Sequence, residues 1–241
     1  MAWFIAPLFF WVALIYSSVG FGGGSMYLAV LSYTTLSQDT LRIIALVCNS
    51  LVTSSGSINF LRESQNVKNR ILPLLLFSTP SCILTSSVKI SDRAFFLALS
   101  LALMMAGAFM FVKVSKTTNS KIKNPWYFYP LCSAIGALAG LTGIGGGVYL
   151  APFLTMNSWG SAKEISAACA LFILINSIAS LFTRMIVFEA DITSGHYILF
   201  FLVLAGGSIG SYFSSTRFKD QRIRRLTGII LMISGLRILL K

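Results

Sequence analysis

Hydrophobic positions run along this chain in long blocks, and charged residues fall between the blocks. Residues 1–38 and 124–162 carry no charge at all. Shorter uncharged blocks cover 43–61, 71–88 and 94–112 in the first half. The second half has 165–183, 192–216 and 226–240, the last interrupted by Arg237. Strand-like alternation is not visible, and the blocks exceed the roughly 10-residue strands of outer-membrane barrels. Each short block has the length of one membrane-spanning helix, about 20 residues. The two long blocks do not fit. A helix over 1–38 would extend about 57 Å, against a hydrocarbon core of about 30 Å. Each long block must therefore break, and each carries four glycines near its middle, in "GFGGGSMYLAVL" from Gly20 and "GIGGGVYLAPFL" from Gly143. Glycine costs about 1 kcal/mol relative to alanine inside a helix. The pattern predicts an all-α integral membrane protein with two interrupted helices.

The order of blocks is the same in both halves: one glycine-broken run, then three spans. "FGGG" at Phe21 matches "IGGG" at Ile144, "NS" at Asn49 matches "NS" at Asn176, and "SSVKISD" from Ser86 matches "SSTRFKD" from Ser214. The ordered set indicates a duplication, with repeats at 1–112 and 124–241 and a basic linker, "KVSKTTNSKIK", at 113–123. Loop charge decides how the broken runs lie. If each crosses once, Lys and Arg divide ten to nine between the two sides; if each folds back as a hairpin they divide thirteen to six. The positive-inside rule selects the hairpin. A hairpin plus three spans is an odd number of crossings, so the repeats are inverted, with five plus five helical segments. The linker is then cytoplasmic and both termini are extracytoplasmic.

Composition agrees: 56% of residues are hydrophobic and 11% charged, against about 25% charged in soluble domains. The net charge of +12 comes from short inter-span loops, so it speaks for membrane orientation and not for nucleic acid. "MAWFIAPLFF" has no basic n-region, and no cleavable signal peptide is expected. Cys48, Cys82, Cys132 and Cys169 lie inside apolar blocks without a CxxC pair, as small hydrophobes do. No Walker A lysine and no metal-spaced His/Cys/Asp cluster is present, so neither an enzyme activity nor a cofactor is expected.

A break at membrane depth is tolerated where it lines a cavity, and the helices restarting after each break aim their N-termini inward. Such an N-terminus offers free N–H groups and about half a positive charge, which suits an anion. The expected substrate contacts are Gly22, Gly23, Gly24 and Ser25 at the first break and Thr142, Gly145, Gly146, Gly147 and Val148 at the second. Asn49 and Asn176, mid-span at matched positions, line the path or bond between helices. Arg184 is either an interfacial residue or a counter-ion reaching the cavity. Small residues also serve helix packing alone. All seven acids fall at span ends or in loops, so a cation pathway lacks its usual carboxylate. "SAKE" from Ser161 to Glu164 matches a capping box.

"GLTGIGGGVYLAPFL" from Gly140 and "SSVGFGGGSMYLAVL" from Ser17 resemble the glycine motifs of the TauE/SafE family of bacterial membrane transporters, also called the sulfite exporter family. The first copy departs in having Ala29 where the proline falls; the second has Pro152. The resemblance spans nearly the whole chain. It implies a secondary transporter in the bacterial inner membrane, exporting a small sulfur-containing anion: sulfoacetate or another sulfonate, or sulfite. The implied partners are that anion and the lipid bilayer, with no nucleic acid and with a homodimer left open. Other classes compatible with the residues are a membrane thiol-redox shuttle and a non-transporting membrane assembly subunit. The shuttle would need a matched cysteine pair, and Cys48 pairs with Ile175 across the repeats.

Overall fold

The computed structural model describes residues 2–18, 20–63, 66–111, 126–188 and 196–216, with 228–229, 232–233 and 235–240 near the C-terminus. The linker at 113–123 and the basic segment 217–225 lie outside the described residues. Every regular element among the described residues is helical. The first half holds α1 (Ala2–Ser17), α2 (Gly24–Leu31), α3 (Gln38–Glu63), α4 (Asn66–Ser86) and α5 (Asp92–Phe111). The second holds α6 (Phe128–Thr142), α7 (Gly147–Met156), α8 (Ala162–Val187) and α9 (His196–Thr216), followed by helical residues within 228–239. Among the described residues, two helices are long and apolar enough to cross a membrane by length and composition, over Gln38–Ile58 and Lys163–Val187.

Both overlong runs break at their glycines, and both double back. The rings of Phe9 in α1 and Tyr27 in α2 stack at 4.7 Å. In an unbroken helix those residues would stand about 27 Å apart. In the second half the rings of Phe128 and Phe153 lie 4.5 Å apart, and the Tyr127 hydroxyl donates to Asn157 Oδ1 at 3.0 Å. Glycine makes the reversal. Gly23 and Gly146, the N-caps of α2 and α7, have φ of 84° and 81°, a left-handed conformation that costs other L-residues about 1–2 kcal/mol. The short restarted helices α2 and α7, of 8 and 10 residues, are each too short to span a bilayer.

α3 and α8 pack against each other at the centre. Around them α4 packs on α6 and α1 on α9, while α9 also lies against α3 and α4 against α8. The short helices lean on the central pair, α2 on α3 and α7 on α8. Two outer seams are made by glycines at GxxxG spacing. A Cβ on Gly136 or Gly140 of α6 would strike the backbone of Ser78 or Cys82 in α4. One on Gly206 or Gly210 of α9 would strike Phe10 O or Leu14 O in α1. Small residues let helix backbones meet where lipid removes the hydrophobic drive. α8 starts on the expected capping box, with Glu164 N donating to Ser161 Oγ and Ser161 N to Glu164 Oε2.

Polarity is arranged from the inside out. Asn49, Asn176, Arg42, Arg184 and Ser177 are buried, whereas Leu84, Phe182, Ile186 and Phe201 are exposed. A water-soluble chain would reverse these positions. The four cysteines are buried and unpaired. Replacing all four with alanine is expected to leave transport largely intact in a vesicle flux assay. Complete loss of flux in a stably folded quadruple variant would show that a thiol takes part.

Candidate functional site

The two glycine breaks meet on one side chain. Asn49, on α3 and fully buried, accepts from Gly24 N through Oδ1 at 2.8 Å and donates from Nδ2 to Ile144 O at 2.9 Å. It thereby caps α2 and holds the backbone of the second break. A Cβ at Gly22 or Gly24 would collide with the Asn49 amide, so glycine there clears space for this contact. Thr53, one turn along α3, donates from Oγ1 to Asn49 O at 2.7 Å, and its methyl group faces Gly22. Residues 20–25 and 142–150 are all buried.

Donors without acceptors gather around this junction. Tyr27 Oη and Ser177 Oγ are buried and make no hydrogen bond, and the buried hydroxyls of Ser25 and Tyr16 have each other nearby. The Tyr27 hydroxyl folds back over Gly23, and Ser177 Oγ would lie 2.5 Å from a Cβ on Gly145. Nothing among the described residues accepts from the N–H groups of Gly147 or Val148, which open α7. Buried polar groups normally find partners, so a cluster that does not calls for an explanation. These donors are neutral. Together with the N-terminal ends of α2 and α7, they can bind an anion by hydrogen bonds and partial charge.

Three other expected contacts have hydrogen-bond partners within the protein. Thr142 Oγ1 donates within its own helix to Leu138 O at 2.7 Å. Asn176, the counterpart of Asn49, does not reach a break: its Nδ2 donates to Ser78 Oγ at 3.2 Å and Phe172 O at 3.1 Å. Arg184 is fully buried and donates to Gly140 O at 2.7 Å and Leu141 O at 3.4 Å. It thus satisfies the C-terminal carbonyls of α6, where a cation also suits the helix dipole. Its Nη1 lies 3.5 Å from Asp39 Oδ1.

Sequence reasoning missed Ser177, Tyr16 and Tyr27 at the junction, and Asp39 and Arg42 beside Arg184. Ser177 had a signal, since it follows Asn176 in the repeated "NS" pair. Asp39 and Arg42, three residues apart on one helix, are an ion-pair spacing.

No solved structure matches the chain. Two relatives are similar over most of their length. A "probable membrane transporter protein" of Sinorhizobium fredii is 31% identical, over 98% of this chain and 97% of the relative. A protein of the same description from Haemophilus influenzae is 25% identical, over 92% of this chain and 86% of its own. A family model described as "Sulfite exporter TauE/SafE" matches residues 5–238. With the match running from α1 to the C-terminal helical residues, the chain belongs to the TauE/SafE family of membrane transporters and is not an enzyme.

Proposed function

We propose that this protein is a secondary transporter exporting a small sulfur-containing anion, with sulfoacetate or a related sulfonate favoured and sulfite next. The anion sits between Gly22–Ser25 and Gly145–Val148 and is carried by alternating access. The observation that carries this reading is Asn49 joining two glycine breaks, with the buried hydroxyls of Tyr27 beside Gly23 and Ser177 beside Gly145. A sulfonate is ionised throughout the physiological pH range, so it needs a carrier, and its three oxygens can accept from converging N–H and hydroxyl groups. The architecture that suits this is an inverted repeat, 1–112 against 124–241, with the breaks related by a pseudo-two-fold axis. The packing supports it: exchanging α1–α5 with α6 onward turns the α4–α6 contact into α9–α1, and α3–α9 into α8–α4.

Purified protein should melt at a higher temperature with sulfoacetate in a concentration-dependent way, because a ligand that binds only the folded state stabilises it. Sulfite should stabilise less, and acetate, taurine and sulfate least. Equal shifts with acetate, or none with any sulfonate, would contradict the substrate class. The inverted topology places the linker in the cytoplasm of a bacterial inner membrane and both termini outside. A single cysteine at Asn119 in a cysteine-free protein should then resist an impermeant maleimide in intact cells. Labelling from outside would reverse the orientation.

A further inference from the structure

Where α3 begins and α8 ends, buried cations outnumber their carboxylate partners. Asp39 Oδ1 lies 3.7 Å from Arg42 Nη1 and 3.5 Å from Arg184 Nη1. Asp39 is 30% exposed, whereas the two arginines are 1% and 0% exposed. Both guanidiniums keep donors without a hydrogen-bond partner, Nε of Arg42 and Nε and Nη1 of Arg184. Arg184 also holds the α6 carbonyls. Arg42 has one hydrogen bond, from Nη2 to Gln38 Oε1 at 2.8 Å, and its Nε has no partner. Its apolar neighbours are the Phe95 ring at 4.3 Å and Gly143, whose absent Cβ would lie 3.1 Å from Arg42 Cβ. A guanidinium offers five N–H donors, so most of the capacity of Arg42 is unused.

Arg42 lines a cleft of about 430 Å³, together with Lys89, Gln38, Asp39, Asp92 and Ser37 among others. The cleft and the arginines behind it bring three cations, Arg42, Arg184 and Lys89, against two acids, Asp39 and Asp92. At the opposite ends of α4 and α8 the partly buried cation is provided for differently. There Arg70 pairs with Glu164 at 4.0 Å, stacks on Trp159 at 3.9 Å and donates to Trp159 O.

We propose that this cleft is a second anion site, separate from the glycine breaks, with Arg42 as its principal ligand and Lys89 at its rim. It takes a small singly charged oxyanion such as a sulfonate or carboxylate. Asp39 is the resident competitor: an arriving anion takes its place on Arg42. Since Asp39 on α3 also pairs with Arg184 on α8, and Arg184 holds the end of α6, occupancy of the cleft loosens a tie between three helices beside the second break. The cleft is then a mouth whose closure depends on whether Asp39 or a diffusing anion holds the arginines.

The test is fluorine NMR line broadening of trifluoromethanesulfonate on the purified full-length protein in detergent. Arg42→Gln should weaken binding by about tenfold or more, the effect of losing hydrogen bonds from a charged group. Asp39→Asn, which removes the competitor and keeps both arginines, should tighten it several-fold. Lys89→Gln, at an exposed position, should weaken it several-fold. If Arg42→Gln fails to fold, Asp39→Asn and Lys89→Gln decide. Wild-type affinity in both of those variants, or weaker binding in Asp39→Asn, overturns the site. So does a wild-type protein that does not broaden the signal. Binding that Ser177→Ala abolishes and Arg42→Gln leaves intact also overturns it, while supporting the site at the glycine breaks. Loss on Arg42→Gln with Ser177→Ala unaffected supports the cleft whatever the fate of the other site.

Discussion

Asn49→Ala is expected to destabilise the protein by about 2–6 kcal/mol, and Asn176→Ala by only about 1 kcal/mol. The two residues occupy matched positions in the repeat, so sequence alone predicts similar costs. Their partners separate them. Truncating Asn49 strands Gly24 N–H and Ile144 C=O, both buried and bonded to nothing else as the hydrogen bonds stand. An unmade buried hydrogen bond costs about 1–3 kcal/mol per group. Truncating Asn176 releases Ser78 Oγ, which already lies 3.4 Å from Leu75 O, and Phe172 O, which belongs to the α8 ladder. Those groups have somewhere to go. Asn49→Asp is a further discriminator. It keeps the acceptor for Gly24 N–H but sets an oxygen against Ile144 O, so it should be little better than alanine. Thermal melts of the three variants in one detergent check this. Equal losses for Asn49→Ala and Asn176→Ala would mean that the link between the breaks carries no stability.

The class and the positions of the helices were legible because a bilayer constrains them strongly. A helix must cross about 30 Å of hydrocarbon, and charges cannot sit there cheaply, so uncharged blocks mark spans. The six short blocks correspond to α3, α4, α5, α8, α9 and the C-terminal helical residues, though only parts of the last are described. The glycine clusters marked the breaks because glycine takes the left-handed φ at Gly23 and Gly146 at no steric cost. Lateral packing was present in the sequence but went unread. The GxxxG spacings at Gly136/Gly140 and Gly206/Gly210 are plain in hindsight, and both fall in the second half, so the repeat comparison gave them no echo.

The polar contacts were less legible, for a physical reason. Two asparagines at matched positions look equivalent, but a hydrogen bond depends on tenths of an ångström in helix placement. Only Asn49 reaches both breaks, and Ile173 occupies the space beside Gly147 that Asn49 fills beside Gly24. Arg184 was visible as an anomaly near the end of an apolar block. Its partners, Asp39 and the Gly140 carbonyl, are remote in sequence, and nothing local in either stretch points to the other. The departure from symmetry is itself informative. Arg42 flanks Gly143 on one side of the fold, and Ser166 flanks Gly20 on the other. One break is bordered by a cation and its counterpart by a small hydroxyl residue.

Gly146→Val is expected to abolish sulfoacetate-induced stabilisation altogether. Gly146 has φ of 81°, a region in which an L-residue pays about 1–2 kcal/mol and a β-branched one is a genuine outlier. The first atom of the new side chain would lie 2.9 Å from Phe172 Cε1 and 3.1 Å from Ala139 Cβ. Either α7 moves away from α8 or its first turn is re-formed, and both displace the free N–H groups of Gly147 and Val148 from the proposed site. Gly146→Ala keeps one methyl group and should fold more readily, with ligand binding weakened and not lost. Gly207→Ala provides the comparison for packing alone. Its Cβ would lie 3.1 Å from Val52 Cα at the α3–α9 contact, so it should lower the melting temperature while leaving the sulfoacetate-induced increment nearly unchanged. The ratio of that increment to the loss of baseline stability is therefore what separates a binding role from a packing role. If Gly146→Ala and Gly207→Ala lose stability alike and both keep the full increment, the glycine breaks serve packing, and the anion binds somewhere other than between α2 and α7.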